Sequence, residues 1–173
     1  HRLFALIIVV FAFVSASASL PERLLLNPIK SAEQLNQNSI EAIHEDAYGF
    51  LWIGTQSGLH LYDGERLTLY QHSIDAPNGL FDSFVVSISS SPTGQVWVAT
   101  LNGVSLLERH TMSFKQIVSY EALEANGFIQ DIEYLSEQQA LYVVTSQEIG
   151  RYSIADNRYQ VLFDSSSIQK IKK

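Results

Sequence analysis

The chain has 173 residues, a net charge of −7 and no cysteine. The length suits one ordinary domain, and the missing thiols exclude disulfide frameworks, cysteine-ligated zinc and thiol catalysis. The acidic balance excludes nucleic acid as the main partner, because phosphate binding needs clustered Lys and Arg.

His1-Arg2 lead into 12 apolar residues, Leu3 to Val14, and then Ser15-Ala16-Ser17-Ala18-Ser19. A short basic start, an apolar stretch and a small-residue site mark residues 1–18 as a signal peptide, read as such because a membrane span needs about 20 apolar residues. Residues 19–34 form an N-terminal segment in which Leu24 to Ile29 reads as a closing strand for a sheet completed elsewhere in the chain.

From residue 35 the sequence repeats at an offset of 45. The offset joins Trp52, Trp97 and Tyr142; Thr55, Thr100 and Thr145; Leu59, Val104 and Ile149; and Tyr62, Leu107 and Tyr152. Gly49 matches Gly94, and Gly58 matches Gly103, while the third copy carries Gln139 and Glu148 in those places. Its leading pair, Ile129 and Ile132, stands one residue early, so one insertion separates it from Tyr142. Repeats of this length are the mark of stacked supersecondary units.

Each copy predicts four short strands. In the first, Ser39 to His44 is anchored by Ile40 and Ile43, and Asp46 to Gly49 makes a turn, the Asp side chain bonding back and the Gly allowing positive φ. Phe50 to Thr55 is nearly all apolar, as in a strand covered on both faces. Gln56-Ser57-Gly58 turns the chain, Leu59 to Tyr62 alternates as a half-exposed strand, Asp63 to Arg66 turns again, and Leu67 to Tyr70 is the outer strand. Four antiparallel strands in about 45 residues make a propeller blade. The expected fold is all-β: blade 1 over 35–79, blade 2 over 80–122, a divergent blade 3 over 123–165 and a truncated tail over 166–173.

These residues carry a family likeness. Ile40, Ile43, Asp46, Gly49 through Thr55, Gly58-Leu59 and Tyr62-Asp63 resemble the two-component regulator propeller repeat. The second copy resembles it too, with Ser91 for the Asp, Ala99 for Gly54 and Leu107-Glu108 for the closing pair, and the third keeps the skeleton in Leu141 to Thr145 and Ile149 to Tyr152. The likeness covers roughly residues 24–163. It implies the start of an exported, periplasmic sensor: propellers of about seven blades, then a membrane helix and a cytoplasmic output. That output is usually a histidine kinase acting by phosphorelay, in other members a diguanylate cyclase, and some members sense polysaccharide fragments. No output motif, phospho-acceptor helix or cyclase signature stands in this sequence. Seven blades would need about 315 residues, and propellers close with about 4–8 blades, so three make an incomplete propeller of marginal stability. Its expected partners are the remaining blades, a second copy in a receptor dimer and a periplasmic ligand such as an oligosaccharide.

The aromatic series Trp52, Trp97 and Tyr142 reads as packing between neighbouring blades, since one large ring per blade seals a sheet contact. The Thr series, ending each second strand, reads as bonding to nearby backbone. The five His share no ligand spacing, so no metal is expected. No Ser-based elbow, phosphate loop or spaced carboxylate pair supports catalysis, and no cofactor is implied. Recognition is best sought in the long connection from Gln71 to Phe84 and the turns beside it, because loops on a rigid scaffold carry binding. The candidates are Gln56, His72, Asp75, Asn78, Asp82 and Asn102, whose side chains suit sugar hydroxyls. A signalling receptor, a stand-alone secreted binding propeller and a propeller enzyme remain as function classes, separated respectively by an output domain downstream, by a stop after the last blade, and by turnover of oligosaccharides.

Overall fold

The computed structural model describes residues 35, 39–75 and 79–165. The signal peptide, the closing strand and the tail lie outside these residues, as does Asn78. Twelve strands fall into three antiparallel four-stranded meanders. The first holds β1 (Ile40–Glu45), β2 (Leu51–Thr55), β3 (Gly58–Tyr62) and β4 (Leu67–Tyr70). The second holds β5 (Val85–Ser90), β6 (Val96–Thr100), β7 (Gly103–Glu108) and β8 (Ser113–Ser119). After a one-turn helix, α1 (Tyr120–Leu123), the third holds β9 (Ile129–Leu135), β10 (Ala140–Thr145), β11 (Glu148–Ser153) and β12 (Arg158–Asp164). The inner strands β1, β5 and β9 pack side by side, so the sheets stand as three successive propeller blades.

The repeat is visible in the pairing itself. Thr55, Thr100 and Thr145 pair with Ile40, Val85 and Ile129, and each inner strand then bulges by one residue, at Glu41, Val86 and Gln130. A bulge kept at one rung of every blade is a design feature that re-aims the strand end. The insertion in the third copy falls in the β9–β10 hairpin: β9 has 7 residues against 6 in β5, and Gln139 takes the positive φ (46°) that Gly49 and Gly94 take in the other blades. The Thr series bonds to backbone as its position suggests, the hydroxyls donating to Gly58 O (2.9 Å), Gly103 O (3.0 Å) and Glu148 O (3.2 Å). Each bond closes the β-turn between the second and third strands.

Strand parity assigns the faces. Trp52 pairs with Leu61, and Gly54 with Leu59, so these share the face of blade 1 that meets blade 2. Trp52, Leu59 and Leu61 join Val85, Val96, Val98, Leu107 and Phe114 in one core cluster. Trp97, Ala99 and Val104 repeat the arrangement against Ile129, Ile132, Tyr134, Leu141, Val143 and Tyr152 of blade 3. The core therefore lies in the two seams between blades and not within any one sheet. Trp52 and Trp97 are buried in these seams, as the aromatic series suggested. Tyr142 is only half-buried and donates its hydroxyl to Gln138, because its face of blade 3 meets no further sheet among the described residues. The expectation of a half-exposed third strand is corrected: Leu59, His60 and Leu61 are all buried, because both faces of β3 are covered.

Candidate functional site

In a four-stranded meander the turn between the second and third strands and the connection to the next blade share one end of the sheet. That end gathers Gln56, the 71–84 connection, Asn102 and the 120–128 connection. Within it the structure joins some predicted residues and parts others. The Asn102 amide donates to Asp82 Oδ2 (2.8 Å), and Asp82 Oδ1 accepts from Phe84 N (2.8 Å), so Asp82 holds Asn102 beside the start of β5. His72 folds onto its own loop: its backbone N–H donates to Ser83 Oγ (3.1 Å), and its Nδ1 lies 2.9 Å from Leu80 O. Gln56 donates to the bulge residue Glu41 of its own blade (2.8 Å). Asp75 is exposed at the loop.

The connection is anchored by Leu80, which is 1% exposed and belongs to the seam core, and by Gln71, whose amide donates to Ser57 O (2.7 Å). The second connection is tied likewise. Ser119 caps α1 by accepting from Ala122 N (3.1 Å), and Tyr120 OH donates to Gly127 O (2.7 Å). Phe128 follows, 70% exposed, at the same end. Sequence reasoning passed over Phe128; its signal was an aromatic directly before the first anchor of a blade, the place Phe84 holds in blade 2. Two polar side chains held by a rigid loop, with an exposed ring at the same end, suit a ligand carrying hydroxyls and a flat apolar face. Among the described residues no cluster of three or more His, Cys, Asp or Glu has metal-site geometry.

The opposite end carries the strongest electrostatic feature. Asp46 accepts from Tyr48 N (2.8 Å), Phe50 N (3.2 Å) and the indole N–H of Trp52 (2.7 Å), and pairs with Arg109 of blade 2 at 2.5 Å. Arg109 also donates to Gly94 O (2.6 Å) and stacks over the Tyr48 ring, 4.3 Å from its centroid. Burial pushes the Asp46 carboxyl up, but the Arg109, Trp52 and backbone N–H donors outweigh it and hold the group below its usual value. Asp46 is thus more than a turn residue: it bolts blade 1 to blade 2. Arg109 was invisible as its partner because no other copy has a basic residue at that place; Ile154 stands there in blade 3.

Residues 34–57 match the Two component regulator propeller family. A comparison with curated proteins finds no match. Among solved structures, the chain is similar to the extracellular domain of BT3049 from B. thetaiotaomicron, described as a hybrid two component system (22% identity, TM-score 0.62, covering 78% of this chain and 19% of that one). It is also similar to the extracellular domain of BT4673 from the same organism, described in one structure as a one component system (18% identity, TM-score 0.59, 74% and 17% covered). RRP9 WD40 repeats share the fold at 13% identity and TM-score 0.57, with 73% and 39% covered. The chain thus carries the regulator-propeller repeat on a β-propeller fold, and it spans about a fifth of the length of the extracellular domains it resembles.

Proposed function

We propose that the chain is the ligand-sensing start of an exported, periplasmic receptor region whose parent signals as a two-component histidine kinase. The observation that carries this reading is the regulator-type repeat at residues 34–57 folded as the first of three matching blades, whose connections collect at one end. The likeness to extracellular domains of two-component systems supports export and signalling, with a diguanylate cyclase as the other output. The ligand end is formed by Asp82, Asn102, His72, Asp75 and Phe128, with Gln56 at the same end of its blade. An oligosaccharide suits it: amide and carboxylate groups meet hydroxyls, and the Phe128 ring meets a sugar face.

The test is a thermal-shift screen of oligosaccharides on the chain, followed by Asn102→Ala and Phe128→Ala. A ligand at 100 times its Kd raises stability by about 2.7 kcal/mol, a shift of several degrees. One oligosaccharide class should produce that shift, and both variants should reduce it. A screen with no shift, or a shift that both variants leave intact, overturns the site. For the output, the same ligand added to the parent receptor in vesicles should change autophosphorylation; a change in cyclic dinucleotide synthesis instead selects the cyclase.

A further inference from the structure

The two seams between blades are built alike but filled differently. In the first, Trp52 is enclosed by Tyr70 of its own blade (6.1 Å between rings) and Phe114 of the next (6.2 Å), and its indole N–H reaches Asp46. In the second, Trp97 stacks on Tyr134 (5.1 Å), but three of the supporting groups are gone. Tyr70, opposite Leu59, is replaced by Val118, opposite Val104. Asp46 is replaced by Ser91, whose hydroxyl is engaged by Thr93 Oγ1 (2.8 Å) and Gln95 N (3.0 Å). Arg109 is replaced by Ile154. The seam has lost a ring, an acceptor and a cation.

What remains is a cleft of about 440 Å³ walled by Trp97, Leu106, Ile117, Tyr134, Ile154 and Gln95. Trp97 is 1% exposed and its indole N–H has no hydrogen-bond partner. A buried donor without an acceptor is destabilising, so an acceptor delivered there is favoured. Lys115 also lines the cleft. It stands opposite Leu106, itself opposite Trp97, so the ammonium rises from the same face as the indole. Lys115 makes no ion pair among the described residues. Glu108 lines the cleft too and disfavours a second negative charge on anything that enters.

We propose that the seam between the second and third blades binds a small aromatic monocarboxylate. The ring lies among Leu106, Ile117, Tyr134 and Ile154. The carboxylate accepts from the Trp97 indole N–H and pairs with Lys115. Ligand thereby supplies the acceptor that Asp46 supplies in the first seam. The site lies at the turn end of the blades opposite the 71–84 connection, so it does not depend on the sugar-binding reading.

The chain has two tryptophans, and their indole N–H resonances report the two seams separately. The experiment titrates ¹⁵N-labelled chain with benzoate, with benzyl alcohol as the neutral ring and glucose as the sugar. Benzoate should move the Trp97 resonance with a Kd of about 1 mM or tighter and leave that of Trp52 in place. Lys115→Gln should weaken binding about fivefold or more, and Ile154→Phe, which fills the cleft from an exposed turn, should abolish the shift. Lys115 is exposed, so its variant tests recognition without testing the fold. The proposal is overturned by a Trp97 resonance that stays still to about 10 mM benzoate. It is equally overturned by benzyl alcohol or glucose acting as strongly, by both indoles moving together, or by an undiminished response in Lys115→Gln.

Discussion

Converting the first seam into the second is the sharpest test of how the blades are joined. Asp46→Ser and Arg109→Ile each install what the second seam carries at Ser91 and Ile154. Asp46→Ser strips an acceptor from the Trp52 indole, two backbone N–H groups and Arg109 at once. Removing one partner of a buried pair costs about 3–5 kcal/mol. The Arg109 side chain is 23% exposed and regains part of its hydration, which places the loss near the low end, about 3 kcal/mol. Arg109→Ile leaves the fully buried Asp46 carboxylate with neutral donors alone and should cost about as much. The double variant removes both charges, so its loss should fall short of the sum by about 2 kcal/mol. Urea unfolding followed by tryptophan fluorescence measures all four corners of the cycle. Arg109→Lys, which keeps the charge but loses the fork to Gly94 O, supplies a milder corner at about 1 kcal/mol. Losses that add to within about 0.5 kcal/mol would refute the claim that Asp46 and Arg109 act as one bolt.

Three further outcomes follow from the same geometry. Trp52→Phe should cost about 1–2 kcal/mol more than Trp97→Phe, since only Trp52 has a made indole bond to lose; equal losses in thermal melts contradict this. Stability should fall in two steps on acidification. Burial holds the His60 imidazole below its usual 6.5, so the unfolded chain takes up a proton that the folded one refuses, and stability drops as the pH falls below 6.5. Asp46, held below 3.8, contributes stability that is present above that value and is lost as the pH falls through its folded pKa. His60→Phe should erase the first step and Asp46→Asn the second, as read by urea midpoints against pH. Gly103→Ala should destabilise by about 2 kcal/mol or more: φ is +150°, and a Cβ would stand 2.5 Å from Val118 O, with no room for the backbone to yield. An unchanged melting temperature in that variant refutes the close approach of β7 and β8 at this rung.

The blade pattern was legible because it rests on local rules. Two-residue alternation, a polar turn residue with a Gly three places on in the first two copies, and a Thr before each tight turn all act within one hairpin and return at an offset of 45. The half-exposed reading of Leu59 to Tyr62 failed because alternation records one apolar face and says nothing of whether the other is covered. Polar His60 looked outward and is buried. The candidate loop was found by its length, yet Asp82 gripping Asn102 across 20 residues has no local signature, and the exposure of Phe128 at the same end is set by the fold around it.

By itself, then, the sequence determined the unit: four strands, their turns, the Thr closures and the place of one large ring per blade. The tertiary structure decided how units meet. Asp46 and Arg109 are 63 residues apart and are brought to 2.5 Å only because the β1–β2 turn of one blade meets the β7–β8 turn of the next at the seam. In the next seam Ser91 stands where Asp46 stands in the first, and the Trp97 indole is left without an acceptor. Repeats fix what each blade can offer, while the value of each offered group is set by the neighbouring blade, where burial makes a met donor stabilising and an unmet one a demand for a ligand.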